Sequence, residues 1–221
     1  MSYNAPSIIQ RKDSVRFVWD VLSTLPPALQ HTGAQVLQFC SDCVKFDKSK
    51  GVNSFNLTEF KDAVDDLPNV DFVMEAFNVE NVTPGPVAQL PATFASVLVN
   101  KFNIPIAESE VFQAVRGIFR RLDYAKQDGV ADFHVIPAIS KTKVESVWEY
   151  RLLMMAPNAN VSNDFHVQVA VLEVKAQKEH ESDWVPLKDD LQAASVKITM
   201  MKLAVTKGFR RPVPTIPFTK A

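Results

Sequence analysis

The sequence predicts an α+β fold: a single-domain α/β/α sandwich whose antiparallel sheet is wrapped by helical layers. Three observations carry this. The first 125 residues read mostly as helix, and long strand patterns gather after residue 146. The strand runs are continuously apolar in places, as in Leu152 to Ala156 and Val169-Ala170-Val171-Leu172, which suits a sheet covered on both faces. A polar turn of eight residues, Pro157 to Asp164, joins the first two strands and makes them antiparallel neighbours. Helices first, antiparallel strands later, and two buried faces describe a layered sandwich.

Taken in order, residues 1–13 read as a polar arm. Ser14 to Leu25 is a short apolar segment of undecided type, stopped by Pro26-Pro27. From about Leu29 to Phe46, Val36, Leu37, Cys40 and Val44 recur at helical spacing. Asn56 or Thr58 can cap a helix running through Asp66, and Asp71 to Asn78 reads as another. Val87 to Asn103 reads as helix despite Pro91, with Pro105 closing it. The clearest helix is Ser109 to Ala125, where Val111, Phe112, Val115, Ile118, Phe119 and Leu122 form one apolar stripe. A short strand follows near Asp132 to Ile136.

Three long strands come next, about Ser146–Pro157, Phe165–Ala176 and Ser195–Val205. On the first, Trp148, Tyr150, Leu152 and Met154 share a face, and Glu149, Arg151, Leu153 and Met155 take the other. Each strand matches or exceeds the roughly 9–11 residues with which a tilted β-strand crosses a bilayer.

Composition removes whole classes. The chain has 221 residues, 47% of them hydrophobic, enough for one substantial core. A net charge of −1 argues against a nucleic-acid surface. No apolar run approaches roughly 18 residues, so no transmembrane helix is expected. The N-terminal Met1-Ser2-Tyr3-Asn4-Ala5-Pro6 carries no secretory pattern, and two cysteines make no disulfide framework. Both fit synthesis in the cytosol. Six glycines, none paired as G-x-G or placed in a Walker loop, leave nothing to cradle a phosphate. No cofactor is expected.

Catalytic constellations are poor. Cys40-Ser41-Asp42-Cys43 is a C-x-x-C without a second pair or a βαβ context, and more simply fills core space. Asp132-Phe133-His134, the isolated His166, and the pairs Asp65-Asp66 and Asp189-Asp190 assemble no nucleophile, base and orienting group. No enzyme is expected. The C-terminal cations are more suggestive. Lys202, Lys207, Arg210, Arg211 and Lys220, with Phe209 and Phe218 among them, suit anionic headgroups or anionic, sulfated glycans; a solvated tail is the plain alternative.

Val147-Trp148-Glu149-Tyr150-Arg151-Leu152-Leu153, the hairpin after it, and Val196 to Phe209 resemble the volvatoxin type of mushroom cytolysin. So do Gln35-Val36-Leu37-Gln38-Phe39 and Phe60-Lys61-Asp62-Ala63-Val64-Asp65, with Leu25-Pro26 at the expected distance before Val36. Through these the chain is similar to the Cyt-type cytolytic δ-endotoxins. The resemblance covers about 17–212, leaving an arm at 1–16 and a tail at 213–221, and it is weakest over 66–107. It implies one domain with a helix-wrapped antiparallel sheet, binding to membrane lipid, homo-oligomerisation and permeabilisation of target cells from outside. It supplies no active site. The C-x-x-C and the arm are not part of its pattern.

Together these lines give a packing exchange. Helices such as Ser109 to Ala125 cover the sheet in water and move aside at a membrane, where inserted strands must pair fully because hydrocarbon cannot satisfy bare backbone groups. The strand residues expected to enter are Trp148, Tyr150, Leu152, Met154, Val167, Val169, Val171, Val196, Ile198 and Met200. Lys207, Phe209, Arg210 and Arg211 are expected at the headgroups. Two other classes stay open. Glu173, Lys175, Lys197 and Lys202 interrupt the strands, which leaves room for a non-lytic lipid- or glycan-binding protein; a hydrolase would need converging carboxylates or His134 in a pocket.

Overall fold

The computed structural model describes residues 9–10, 16–17, 19–47, 52–67, 71–83, 86, 89–103, 105–116, 144–178 and 193–212. Two short strands, β1 (Ile9–Gln10) and β2 (Arg16–Phe17), pair with each other near the N-terminus. The undecided segment before Pro26 supplies β3 (Asp20–Ser23).

Helix α1 (Pro27–Asp42) starts where Pro27 occupies the first turn, a position whose N–H has no intrahelical partner in any case. It buries Leu29, Thr32, Gly33, Val36, Leu37, Phe39 and Cys40. Gly33 lets it approach the sheet closely: a Cβ there would lie 2.9 Å from Leu25 Cδ1 and 3.2 Å from Met155 Sδ. The helix ends earlier than its spacing suggests, because Val44 turns into β4 (Val44–Asp47), which pairs with β5 (Val52–Phe55). Asn56 then caps α2 (Leu57–Asp65), its Oδ1 accepting from Glu59 N at 3.1 Å while its Nδ2 donates to Glu59 Oε2 at 3.3 Å.

The helix expected over Asp71 to Asn78 is a strand, β6 (Phe72–Val82), the sharpest departure from the sequence reading. Its exposure alternates with period two, and it pairs antiparallel with β9 along its length, apart from a bulge between Met74 and Ala76. Apolar residues at 72, 73, 76 and 77 fit either period. The partner strand decides.

Helix α3 (Leu90–Phe102) carries Pro91 in its first turn and ends on Asn103 in the left-handed region, φ 50°. Residues 108–116 are helical, the described part of the stripe that opens at Ser109. The expected continuation to Ala125 and the strand near Asp132 lie outside the described residues.

Three strands then form the body of the sheet: β7 (Val144–Pro157), β8 (Asp164–Lys178) and β9 (Ala193–Thr206). At 14, 15 and 14 residues they are longer than the apolar runs alone suggest. Strands β7 and β8 pair from Val144↔Lys178 to Pro157↔Phe165. Their turn is closed by Asn158 N donating to Asp164 O at 2.9 Å, with Asn163 at φ 90°. The sheet order is β3-β7-β8-β9-β6. It is antiparallel as expected except at one border, where β3 runs parallel to β7. Helices α1 and α2 with the β4–β5 hairpin cover one face, and α3 with the 106–115 region covers the other.

Candidate membrane-active sheet

Strand alternation divides β7, β8 and β9 into two apolar surfaces. Leu153, Met155, Phe165, Val167, Val169, Val171, Met201, Leu203 and Val205 lie under α1 and α2. Leu152, Met154, Ala156, Ala170, Leu172, Val174, Val196, Ile198 and Met200 lie under α3 and the 106–115 region. Continuous apolar runs in the sequence therefore correspond to a sheet buried twice, with most of these side chains at or near zero exposure.

The strand residues singled out in the sequence divide between these surfaces. Leu152, Met154, Val196, Ile198 and Met200 share the α3 side, with Tyr150 partly buried beside them. Val167, Val169 and Val171 face α1. Trp148 lies on β7 opposite Val174, and its side chain is outside the described part. In the covering helix, Val111 and Val115 are fully buried against the sheet and Phe112 partly so, whereas Ile118, Phe119 and Leu122 lie outside the described residues. Sequence reasoning named that helix as the cover and overlooked α3 as its equal. The signal was present: Leu90, Phe94, Ala95 and Leu98 recur at i, i+4, i+5 and i+8, and all are buried on the same face.

Polar groups interrupt each surface at one end. On the α1 side, Glu149 accepts from Arg151 Nε at 2.5 Å and from Phe55 N at 2.9 Å, which ties the β4–β5 hairpin to β7. In register with Glu149 stand Glu173 and Lys197, paired at 3.7 Å and about half exposed. On the α3 side, Gln168 is completely buried; its Nε2 donates to Leu98 O in α3 at 3.1 Å and its Oε1 has no partner among the described residues. Toward the turn, Glu75 at the β6 bulge reaches Lys202 Nζ at 3.1 Å and stands 3.5 Å from His166 Nδ1, too poorly aligned for a hydrogen bond. Burial, then the Lys202 charge, pull the His166 pKa below its ordinary value; Glu75 and Asp164 oppose this.

The C-terminal cluster is less uniform than its sequence suggests. Lys207 and Arg210 are exposed, and Arg210 Nη1 donates to the carbonyls of Lys207, Gly208 and Phe209. Arg211 is ion-paired to Asp42 of α1, and its backbone N–H donates to Gln35 Oε1 at 2.9 Å. Phe209, expected among the headgroups, is buried: its ring packs 4.7 Å from Phe72 and 6.0 Å from Phe39, centroid to centroid. The last strand ends directly above the α1 core, so an aromatic following it falls inside.

Cys40 and Cys43 are free and buried. Burial first, then the neighbouring Cys43 and Asp42, raises Cys40; burial also pushes Cys43 up to about 12. Such thiols pack and stay protonated. Asp65 and Asp66 are exposed. Asp132, His134, Asp189 and Asp190 lie outside the described residues, as do Phe218 and Lys220. Among the described residues no helix is long and apolar enough to cross a membrane.

The geometry defines a class before any comparison: an α+β protein whose long-stranded sheet is sandwiched by helical layers. No family model matches the chain, and no curated protein matches it. Solved structures do. A delta-endotoxin superposes with a TM-score of 0.64 at 13% identity, covering 92% of this chain and 91% of its own. The activated Cyt2Ba monomer of Bacillus thuringiensis subsp. israelensis superposes with a TM-score of 0.60 at 10% identity, covering 85% and 97%. The chain has the fold of the Cyt-type delta-endotoxins.

Proposed function

We propose that the chain is a pore-forming cytolysin of the volvatoxin-like kind, which binds membrane lipid, oligomerises and permeabilises target cells from outside. One observation carries the reading: strands of 14, 15 and 14 residues, apolar on both faces, each face closed by helices through contacts that are almost wholly apolar. The fold shared with a delta-endotoxin supports it. At a membrane the α3 layer lifts and acyl chains take its place against Leu152, Ala170, Leu172 and Ile198. Strands from several copies complete one another's backbone hydrogen bonds. Lys207 and Arg210 meet anionic headgroups or anionic glycans first. The reading assigns no cofactor and no catalytic residue.

Dye release from protein-free liposomes tests this. Rapid release from lipid alone is expected. The charged pairs Glu149–Arg151 and Glu173–Lys197 on the strands favour the second reading, a non-lytic binding module. Protein that sediments with liposomes of several compositions yet leaves them intact would select that module and end the lytic proposal.

A further inference from the structure

Strand β6 closes one border of the sheet, and it is an unusual border. Edges are normally blunted with free charge, above all lysine. Of the described residues, the exposed large apolar side chains are Val73, Phe77, Val79 and Val161, and three of these four belong to β6. Both carboxylates of the strand are engaged within the chain, Glu75 with Lys202 at 3.1 Å and Glu80 with Lys101 at 3.4 Å. Lys61 lies over the Phe77 ring, 3.5 Å from its centroid. Beyond the bulge at Met74 and Ala76, which disturbs the edge locally, no uncompensated charge of the strand repels a second chain.

The exposed side chains also straddle the border. Val73 pairs with Ala204 on the α3 side, whereas Phe77 and Val79 pair with Met201 and Thr199 on the α1 side. Phe77 and Val79 lie two residues apart beside the open backbone edge, where a second strand laid along it meets them, whereas Val73 lies before the bulge on the other side.

Beyond the bulge, residues 76–82 stay in unbroken register with β9, and the centre of that run is Val79. We propose that this segment of β6 is the self-association surface, pairing antiparallel with the same segment of a second copy about a two-fold axis at Val79. Val79 then faces its own copy, Phe77 faces Asn81, and Asn78 faces Glu80. The Asn78 amide already donates to Glu80 Oε2 within the chain, at 3.3 Å, so the crossed pair repeats a bond these groups make. Centring one residue later would set Glu80 against Glu80. The proposal deepens the cytolysin reading by naming the contact its oligomer uses.

A cysteine at Val79, cross-linked on liposomes with a short bismaleimide, gives a covalent dimer. Val73→Cys and Val161→Cys are the controls; in this register the two copies of Val73 stand twelve residues apart, roughly 40 Å. Cys40 and Cys43 are buried and remain unlabelled in water. Val79→Lys and Val79→Glu each place like charges face to face and lower the dye-release rate about tenfold, and an equimolar mixture of the two recovers it. Cross-linking at Val79 no stronger than at Val73, either charged variant lysing like the parent, or a mixture that stays inactive would overturn the proposal. Should a charged variant fail to fold, the cysteine comparison decides alone. Val79→Cys protein that cross-links while both it and the parent release no dye removes the pore reading and keeps this contact. Release without cross-linking does the reverse.

Discussion

Phe209 illustrates how one residue changes meaning between sequence and structure. Between Gly208 and Arg210 it looks like an interfacial anchor, yet it completes an aromatic group with Phe39 and Phe72. Phe209→Ala should destabilise by about 3–5 kcal/mol, as truncation of a buried aromatic does, read from the urea midpoint. Arg211 belongs to the same strap, so a test of headgroup attraction belongs at Lys207 and Arg210 alone. His166 makes a prediction of opposite kind. Its folded pKa lies below the unfolded value of about 6.5, so the unfolded chain takes the proton first. The stability this group contributes is complete above that pH and lost as pH falls toward the depressed folded value. The groups facing it are Lys202 on β9, Glu75 on β6 and Asp164 on its own strand. Replacing His166 with Gln should flatten the fall of the urea midpoint below pH 6.5; an unchanged profile would assign the acid sensitivity to the carboxylates.

At the level of elements, α3 is the cover to watch. It rests on the sheet through Leu90, Phe94, Ala95 and Leu98; one buried polar hook, Gln168 to Leu98 O, crosses this contact, and the more exposed Lys101–Glu80 pair ties its rim to β6. Because Gln168 Oε1 stays unpartnered, the hook gains less than a full hydrogen bond and leaves a buried acceptor unsatisfied. Gln168→Met should therefore be neutral or stabilising by up to about 1 kcal/mol and should slow dye release, because the closed state loses its orphan. A cleavable cross-link between Leu98→Cys and Gln168→Cys should block release until it is cut. Equal release before and after cutting would show that α3 need not leave the sheet.

For the whole molecule, the proposed opening poses an energetic question, because the apolar contact it breaks is large. Burying a Leu, Val or Phe side chain is worth roughly 1.5–3 kcal/mol, so lifting α3 into water alone is prohibitive. Lipid tails are as apolar as leucine, and exchanging one cover for the other changes hydrophobic energy little. What hydrocarbon cannot supply is backbone pairing. A five-stranded sheet has two borders, β3 with four residues and β6 with eleven. The longer one, with its charges neutralised inside the chain, is where a second copy gains most.

Much of this was legible from residues alone. Period-two and period-3.6 apolar spacing, the Asn56 cap and the polar turn before Asp164 are local features, and local chemistry governs them. The layered fold followed because a sheet apolar on both faces requires two covers. Three things waited for tertiary structure. Residues 72–77 fit helix and strand about equally, and the β9 ladder chose strand. The membrane-facing candidates split between two surfaces because adjacent strand residues point oppositely, and only the register between strands tells which faces join. Phe209 moved from boundary to core because burial depends on what lies across from the end of the last strand, here α1 and Phe72, residues far away in sequence.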